Sequence, residues 1–151
     1  MQVASKHDVG DRMLANGLMA ACRATLYHFS MRTFLVAVDG SDSSLRALAW
    51  AIDLAQQMSG VAIHLVNVGQ REESAAILGR AEEALRAVQL PYTKEALSGP
   101  VAAVIAEHAG KLGCDAIVMG TRGTSAIESL VLGTVANEVV HLTRLPVTLV
   151  K

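Results

Sequence analysis

The sequence predicts an α/β fold: an open, doubly wound sheet of five parallel strands with helices on both of its faces. Five short segments rich in apolar residues alternate along the chain with four stretches of helical periodicity. Most of these segments are runs of mainly apolar residues without strict alternation of apolar and polar positions, which is typical of strands buried on both faces of a sheet. Each connection has the length of a crossover helix, so we expect the strands to run parallel in right-handed βαβ units.

The first predicted strand and the helix after it have clear boundaries. Thr33–Val38 is a continuous apolar run, and Asp39-Gly40 ends it. Residues 41–44 (SDSS) supply the hydroxyl and carboxylate groups that cap helices, and Ser59-Gly60 ends the helix that follows. The apolar face of this helix is predicted to comprise Leu45, Leu48, Ala49, Ile52 and Ala55.

The remaining elements continue the alternation. In chain order they are Val61–Val68 (strand), Ser74–Gln89 (helix), Tyr92–Leu97 (strand), a helix that Ser98-Gly99-Pro100 opens and Gly113 ends, Asp115–Met119 (strand), Leu130–Leu142 (helix) and Pro146–Val150 (strand). The third strand carries polar residues, as an edge strand does. The third helix is predicted to bury a face formed by Val101, Val104, Ile105, His108 and Leu112.

These elements predict a single domain at 31–151, and residues 1–30 precede it as an extension. One interpretation makes the extension a short amphipathic helix whose apolar face holds Leu14, Leu18, Cys22, Leu26 and Phe29. A second interpretation is that translation starts at Met31 and that the extension is not native. A signal peptide is disfavoured because Asp8 and Asp11 lie in the region that should be positive. The two cysteines, Cys22 and Cys114, cannot form a disulfide framework, so we expect a protein of the reducing cytoplasm.

The composition argues against several classes of partner. The 151 residues include 13 Lys and Arg against 14 Asp and Glu, so no strongly basic face is expected for nucleic acid or anionic lipid. Aromatic residues make up 3% of the chain, too few for a platform that stacks bases. No apolar run approaches the ~20 residues that span a bilayer. The two cysteines and five histidines show no zinc-ligand spacing, so the sequence predicts no metal site.

Two motifs follow predicted strands, at the edge where ligands bind in an open α/β sheet. The first is Asp39-Gly40-Ser41. The second is a G-x-x-G segment, Gly120 to Gly123, followed after nine further residues by Gly133-Thr134 at a helix start. Glycines let the backbone turn tightly and approach a ligand, and a helix start offers N–H groups to phosphate. Because no Lys follows the glycines, phosphate binding would rely on backbone N–H donors. The side chain of Arg122 would add a positive charge next to them.

Three stretches of the chain match a known pattern: 34–44 (FLVAVDGSDSS), 112–123 (LGCDAIVMGTRG) and 130–151 (LVLGTVANEVVHLTRLPVTLVK). Over 31–151 the sequence resembles the universal stress protein family, and its glycine motif resembles that of the ATP-binding branch. The resemblance implies a Rossmann-like sheet with strand order 3-2-1-4-5 and a homodimer formed through the last strand. Two departures stand out: the segment Gly69–Glu73 is shorter than the loop common in the family, and residues 1–30 have no counterpart.

The resemblance also implies an adenine-nucleotide site for ATP, or for AMP or ADP in a similar pose, with Mg²⁺ carried by the nucleotide. Ala37, Val38 and the backbone of Val66 would surround adenine. Asp39 would contact the ribose hydroxyls, with Gly120 nearby. Gly123, Gly133, Thr134 and Val135 would face the phosphates. Met119 and Arg122 complete the set of candidate binding residues.

The predicted function is regulatory: an adenine-nucleotide-binding protein of the stress response that acts through nucleotide-dependent dimer or partner contacts. One alternative is a slow ATPase or an adenylyl- or phosphoryl-transfer enzyme that uses the same pocket. Another is a dimerising scaffold with an empty pocket. The motifs contain no nucleophile–base set and no paired carboxylates, so we expect no catalytic residues and at most slow hydrolysis.

Overall fold

A computed structural model describes residues 33–124 and 132–151 of the chain. Its elements, in chain order, are β1 (Thr33–Ala37), α1 (Asp42–Gln57), β2 (Ala62–Val68), α2 (Arg71–Ala87), β3 (Tyr92–Leu97), α3 (Val101–Lys111), β4 (Ala116–Gly120), α4 (Thr134–Leu142) and β5 (Val147–Val150). The strands form one parallel sheet in the order β3-β2-β1-β4-β5. The predicted fold class and the strand order implied by the resemblance are therefore confirmed.

The sheet separates two core layers, as the continuously apolar strands predicted. Within β1, Phe34 and Val36 belong to the layer beneath α1 and α2, while Leu35 belongs to the layer beneath α3 and α4. All three side chains are at most 1% exposed. Burial of a large apolar side chain stabilises a fold by roughly 1.5–3 kcal/mol, so this central strand needs apolar residues at consecutive positions.

The N-cap predicted for α1 is confirmed, but its predicted buried face is partly wrong. The Ser41 hydroxyl oxygen accepts the Ser44 N–H at 3.3 Å. Leu45 is 39% exposed, and Ala49 is exposed as well. The helix instead buries Ala47 and Ala51 beside the predicted positions 48, 52 and 55. Small alanines allow the helix to lie close to the sheet, which turns the row of Leu45 toward solvent.

The face predicted for α3 needs a similar correction. Val101 is 38% exposed and Leu112 is 48% exposed, whereas the buried row is Ala102, Ile105 and Ala109. The prediction was based on the large apolar residues of the helix. In the structure, Ala102 and Ala109, on either side of Ile105, make the close contact with the sheet. Size alone therefore did not indicate which row of the helix faces inward.

Two predicted helix starts are wrong. Helix α2 begins at Arg71 instead of Ser74, so only Gly69-Gln70 connects it to β2. Helix α4 begins at Thr134 instead of Leu130, and Gly133 is its N-cap. The Gly133 N–H donates to the carbonyl of Thr121 at 2.8 Å, and this bond to the loop after β4 sets where the helix can start.

The N-terminal extension predicted at 1–30 lies outside the described residues, as do 31–32 and 125–131. Its interpretation as an amphipathic helix or a non-native segment stays a prediction. Within the described ranges, no helix combines the length and the apolar content needed to cross a membrane.

Candidate functional site

A cavity of about 340 Å³ opens beyond the carboxyl ends of β1 and β4. These neighbouring strands mark the point where the chain order of the sheet reverses, which is where ligands bind in open α/β sheets. The cavity brings together all eleven residues predicted from the sequence: Ala37, Val38, Asp39, Val66, Met119, Gly120, Arg122, Gly123, Gly133, Thr134 and Val135.

Eight further residues line the cavity that were not among the predicted site residues: Ser44, Asn67, Val68, Val101, Ile105, Thr121, Thr124 and Ala136. One signal could have pointed to Asn67, because it is a polar residue near the carboxyl end of a mostly apolar second strand. Val101 and Ile105 were predicted only as part of a helix face. They line the cavity because of the angle at which α3 packs across the sheet, and no local sequence pattern predicts that angle.

The apolar wall of the cavity belongs to the core layer beneath α3 and α4. Ala37, Val66 and Met119 contribute to it from three adjacent strands. Val38 differs, because its side chain packs into the opposite layer beneath α1 and α2. Its backbone is held in place, since the Val38 N–H donates to the Val66 carbonyl at 2.9 Å and the Val38 carbonyl accepts from the amide of Asn67 at 2.6 Å.

Asp39 lies at the mouth of the cavity and is bonded on both of its carboxylate oxygens. Oδ1 accepts the backbone N–H of Ser41 at 3.0 Å and the Ser41 hydroxyl at 2.5 Å. Oδ2 accepts the Thr124 N–H at 3.1 Å. A carboxylate oxygen can accept about two hydrogen bonds, and among the described residues Oδ2 accepts one, which leaves one position for a ligand hydroxyl.

Gly120 at the end of β4 and Gly123 in the loop after it are needed for packing within the protein, whether or not a ligand binds. A Cβ on Gly120 would lie 2.4 Å from the Ser43 hydroxyl oxygen and 2.8 Å from backbone atoms of Ser43 and Ser44, in the first turn of α1. A Cβ on Gly123 would lie 2.7 Å from Oδ2 of Asp39. Their absent side chains allow the loop to contact α1 and the Asp39 carboxylate directly.

The loop from Thr121 to Thr124 is anchored along its length. The Thr121 N–H donates to the Val150 carbonyl at 2.8 Å, which ties the loop to β5. The Arg122 carbonyl accepts the Ser43 hydroxyl at 2.5 Å, which ties the loop to α1. These bonds link the backbone on one side of the cavity to both β5 and α1.

The amino ends of α1 and α4 differ in their capping. Helix α1 has the Ser41 side-chain cap and an acidic residue, Asp42, in its first turn. Among the described residues, no side chain caps α4, and its first turn has no acidic residue. The first N–H groups of a helix have no acceptor within the helix, and they form the positive end of its dipole. Thr134, Val135 and Ala136 line the cavity, so this end of α4 can bind an anion there.

Among the described residues that line the cavity, the ionisable side chains are Asp39 and Arg122. The clear pKa shifts occur elsewhere. Hydrogen bonds from Lys94 and Tyr92 lower the pKa of Glu82 to about 2. Burial, assisted by Asp115, raises the pKa of the Cys114 thiol, so this cysteine is a buried apolar residue. The cavity itself offers an apolar wall, a carboxylate and backbone donors, which are the groups of a binding site.

The sequence of the chain is similar to that of a known protein family. The sequence model of the Universal stress protein family matches residues 31–80 and 68–151. Universal stress protein MJ0531 of Methanocaldococcus jannaschii is 33% identical over 139 residues, covering 80% of this chain and 82% of the relative.

Solved structures agree with the sequence comparison. Hypothetical protein MJ0577 superimposes with a TM-score of 0.74 at 20% identity, over 81% of this chain and 96% of that one. A universal stress protein solved in complex with cAMP has a TM-score of 0.66 at 26% identity, over 81% of this chain and 98% of that one. The sequence model and the identity to MJ0531 each extend over most of the chain, and the chain therefore belongs to the universal stress protein family.

Proposed function

We propose that this protein binds an adenine nucleotide, ATP or AMP, in the cavity beyond β1 and β4 and that the bound nucleotide regulates dimer or partner contacts. The observation that carries the proposal is that the described residues of one cavity combine three complementary surfaces: an apolar wall, a carboxylate with an acceptor position left among them and a helix start that none of their side chains caps. Its volume of about 340 Å³ lies within the range of small-molecule sites.

Each surface fits one part of the nucleotide. The wall formed by Ala37, Val66 and Met119 suits the flat, largely apolar adenine ring. The remaining acceptor position of Asp39 suits a ribose hydroxyl, which needs an oxygen acceptor. The first turn of α4 suits a phosphate. A nucleoside triphosphate such as ATP would carry a bound Mg²⁺ into the site.

The glycine motif of the ATP-binding branch supports the same ligand. Its segment Gly120–Gly123 and the pair Gly133-Thr134 all line the cavity. The related universal stress protein solved with cAMP supports the ligand class, because cAMP also combines adenine, ribose and phosphate. We expect at most slow hydrolysis, since Asp39 is the one carboxylate among the described residues that line the cavity and it is proposed to bind the ribose, away from the phosphates.

Calorimetric titration with AMP and ATP tests the proposal directly. We expect saturable binding of one nucleotide per chain, because the cavity holds one set of complementary surfaces. Mass spectrometry of the freshly purified protein provides an independent measurement of co-purified nucleotide. Absence of both binding and co-purified nucleotide would favour the scaffold with an empty pocket and would reject the proposal.

We further propose that the protein forms a homodimer through β5, which is an edge of the sheet among the described strands. The carbonyls of Pro146 and Val150 accept N–H groups of Ile117 and Thr121, so backbone groups at even positions of β5 point to β4. Those of Val147 and Leu149 point outward, where the same strand of a second copy can pair antiparallel.

Replacing Val147 with proline should weaken this dimer while the chain stays folded. Proline removes an outward N–H at the first residue of the strand, a position where proline is tolerated. The matched control is Thr148→Pro, which removes an N–H that points to β4 and should destabilise the fold itself. Sedimentation at micromolar concentration with AMP present measures the assembly. A wild type that sediments only as a monomer would refute the dimer.

A further inference from the structure

Three side chains with metal-binding atoms converge on the α3 face of the sheet, apart from the residues that line the cavity. They are His64 on β2, Glu95 on β3 and His108 on α3. The Nε2 atoms of the two histidines are 3.0 Å apart. Oε2 of Glu95 lies 3.2 Å from Nε2 of His108 and 3.9 Å from Nε2 of His64.

The fold accounts for this convergence. His64 is in register with Thr93 on the neighbouring strand, and Glu95 follows Thr93 by two positions, on the same face of β3. His108 lies three positions after the buried Ile105, so α3 directs it toward the same face of the sheet. Sheet pairing and helix packing thus bring together groups that the chain separates.

Two of the three spacings are close to those around one tetrahedral ion, and the third is longer. Zinc lies about 2.0–2.1 Å from histidine nitrogen and about 2.0–2.2 Å from carboxylate oxygen, which separates tetrahedral ligand atoms by roughly 3.3 Å. Two of the measured spacings fall slightly below that value and one lies above it. Small side-chain rotations would therefore bring the three atoms to equal distances from an ion.

We propose that His64, Glu95 and His108 form a binding site for a divalent transition-metal ion of the zinc type. Two imidazoles and one carboxylate supply three ligands, and the fourth position is left to water. Glu95 has a side chain that is 48% exposed, so the site opens to solvent on the β3 side. The ligand set is one that zinc uses in proteins.

The surroundings of His64 favour this role. Its Nδ1 is hydrogen-bonded to the Thr93 hydroxyl, which leaves Nε2 to face the other two ligand atoms. Metal-bound histidines usually have such a partner on the second nitrogen, because it fixes the ring orientation and the tautomer.

A bound ion would connect the edge strand β3 and the central part of β2 to α3. Helix α3 also contributes Val101 and Ile105 to the wall of the cavity. The metal would thus stabilise the packing of a helix that shapes the nucleotide site, although the metal site does not depend on nucleotide binding.

Titration of the metal-stripped full chain with Co²⁺ and then Zn²⁺ tests the site. We expect visible absorption bands of four-coordinate Co²⁺, their loss on addition of Zn²⁺, and a zinc-dependent rise in melting temperature. His108→Ala and Glu95→Gln should each abolish the bands and weaken zinc binding by at least about 100-fold, because each removes a direct ligand. Thr93→Val should weaken it by about 10-fold, since it removes only the partner of His64.

His141→Ala is the matched control, because His141 is an exposed histidine in the last turn of α4. It should keep the bands and the zinc affinity of the wild type. Circular dichroism establishes that the variants are folded, and Glu95→Gln changes a partly exposed residue that the core does not need. The proposal is overturned if the wild type shows no four-coordinate Co²⁺ bands, or if folded Glu95→Gln and His108→Ala bind zinc as tightly as His141→Ala. Either result would mean that the cluster is a hydrogen-bonded network.

Discussion

Replacing Gly120 with alanine should destabilise the protein by about 3 kcal/mol, at the upper end of what overpacking costs. The added Cβ would lie 2.8 Å from the carbonyl carbon of Ser43 and from the amide nitrogen of Ser44. Both atoms belong to the backbone of α1, so the clash cannot be relieved by rotating a side chain. Either the helix or the end of β4 must move, and both hold the loop that borders the cavity.

Gly79→Ala is the matched control for this prediction. Gly79 lies in the interior of α2, and a Cβ there would meet no atom within 4 Å. Alanine should therefore stabilise the helix by about 0.5–1 kcal/mol, through helix propensity alone. Urea unfolding of both variants gives the two free energies. Equal stabilities for the variants would contradict the close packing of Gly120 against α1.

The second large effect is expected for Asp39→Ala, which should weaken AMP binding by about 1–3 kcal/mol. Alanine removes the acceptor position on Oδ2 that is proposed to bind a ribose hydroxyl. It also removes the acceptors of Ser41 and Thr124, so some stability should be lost together with affinity. Calorimetric titration on the folded variant measures the affinity separately from the stability.

Ser41→Ala separates these two effects. It removes the cap of α1 and one donor to Asp39, and it should cost about 1 kcal/mol of stability. The Asp39 carboxylate remains, so nucleotide affinity should change much less than in Asp39→Ala. If both variants lost affinity equally, loop anchoring would explain the loss and the ribose contact would be rejected.

Local features of the sequence were sufficient to predict the order of the elements and the place of the cavity. An apolar run such as Thr33–Val38 is enough to predict a buried strand, because strands covered on both faces need apolar residues at consecutive positions. Asp39 and Gly120 could be predicted to lie at the same edge of the sheet, because both follow parallel strands whose carboxyl ends meet there. That their two strands are neighbours was implied by the family resemblance and its strand order, which local sequence does not contain.

Other features depend on which surfaces meet, and only the tertiary structure decided them. Leu45 and Ala47 both fit a helical repeat, but the close approach of α1 to the sheet selects the smaller residue for burial. His64 and His108 lie 44 positions apart, far outside any ligand spacing that a sequence motif can show. Their nitrogens meet because β2 and α3 pack together, and contacts between distant elements are set by the geometry of the sheet and its covering helices instead of by local sequence.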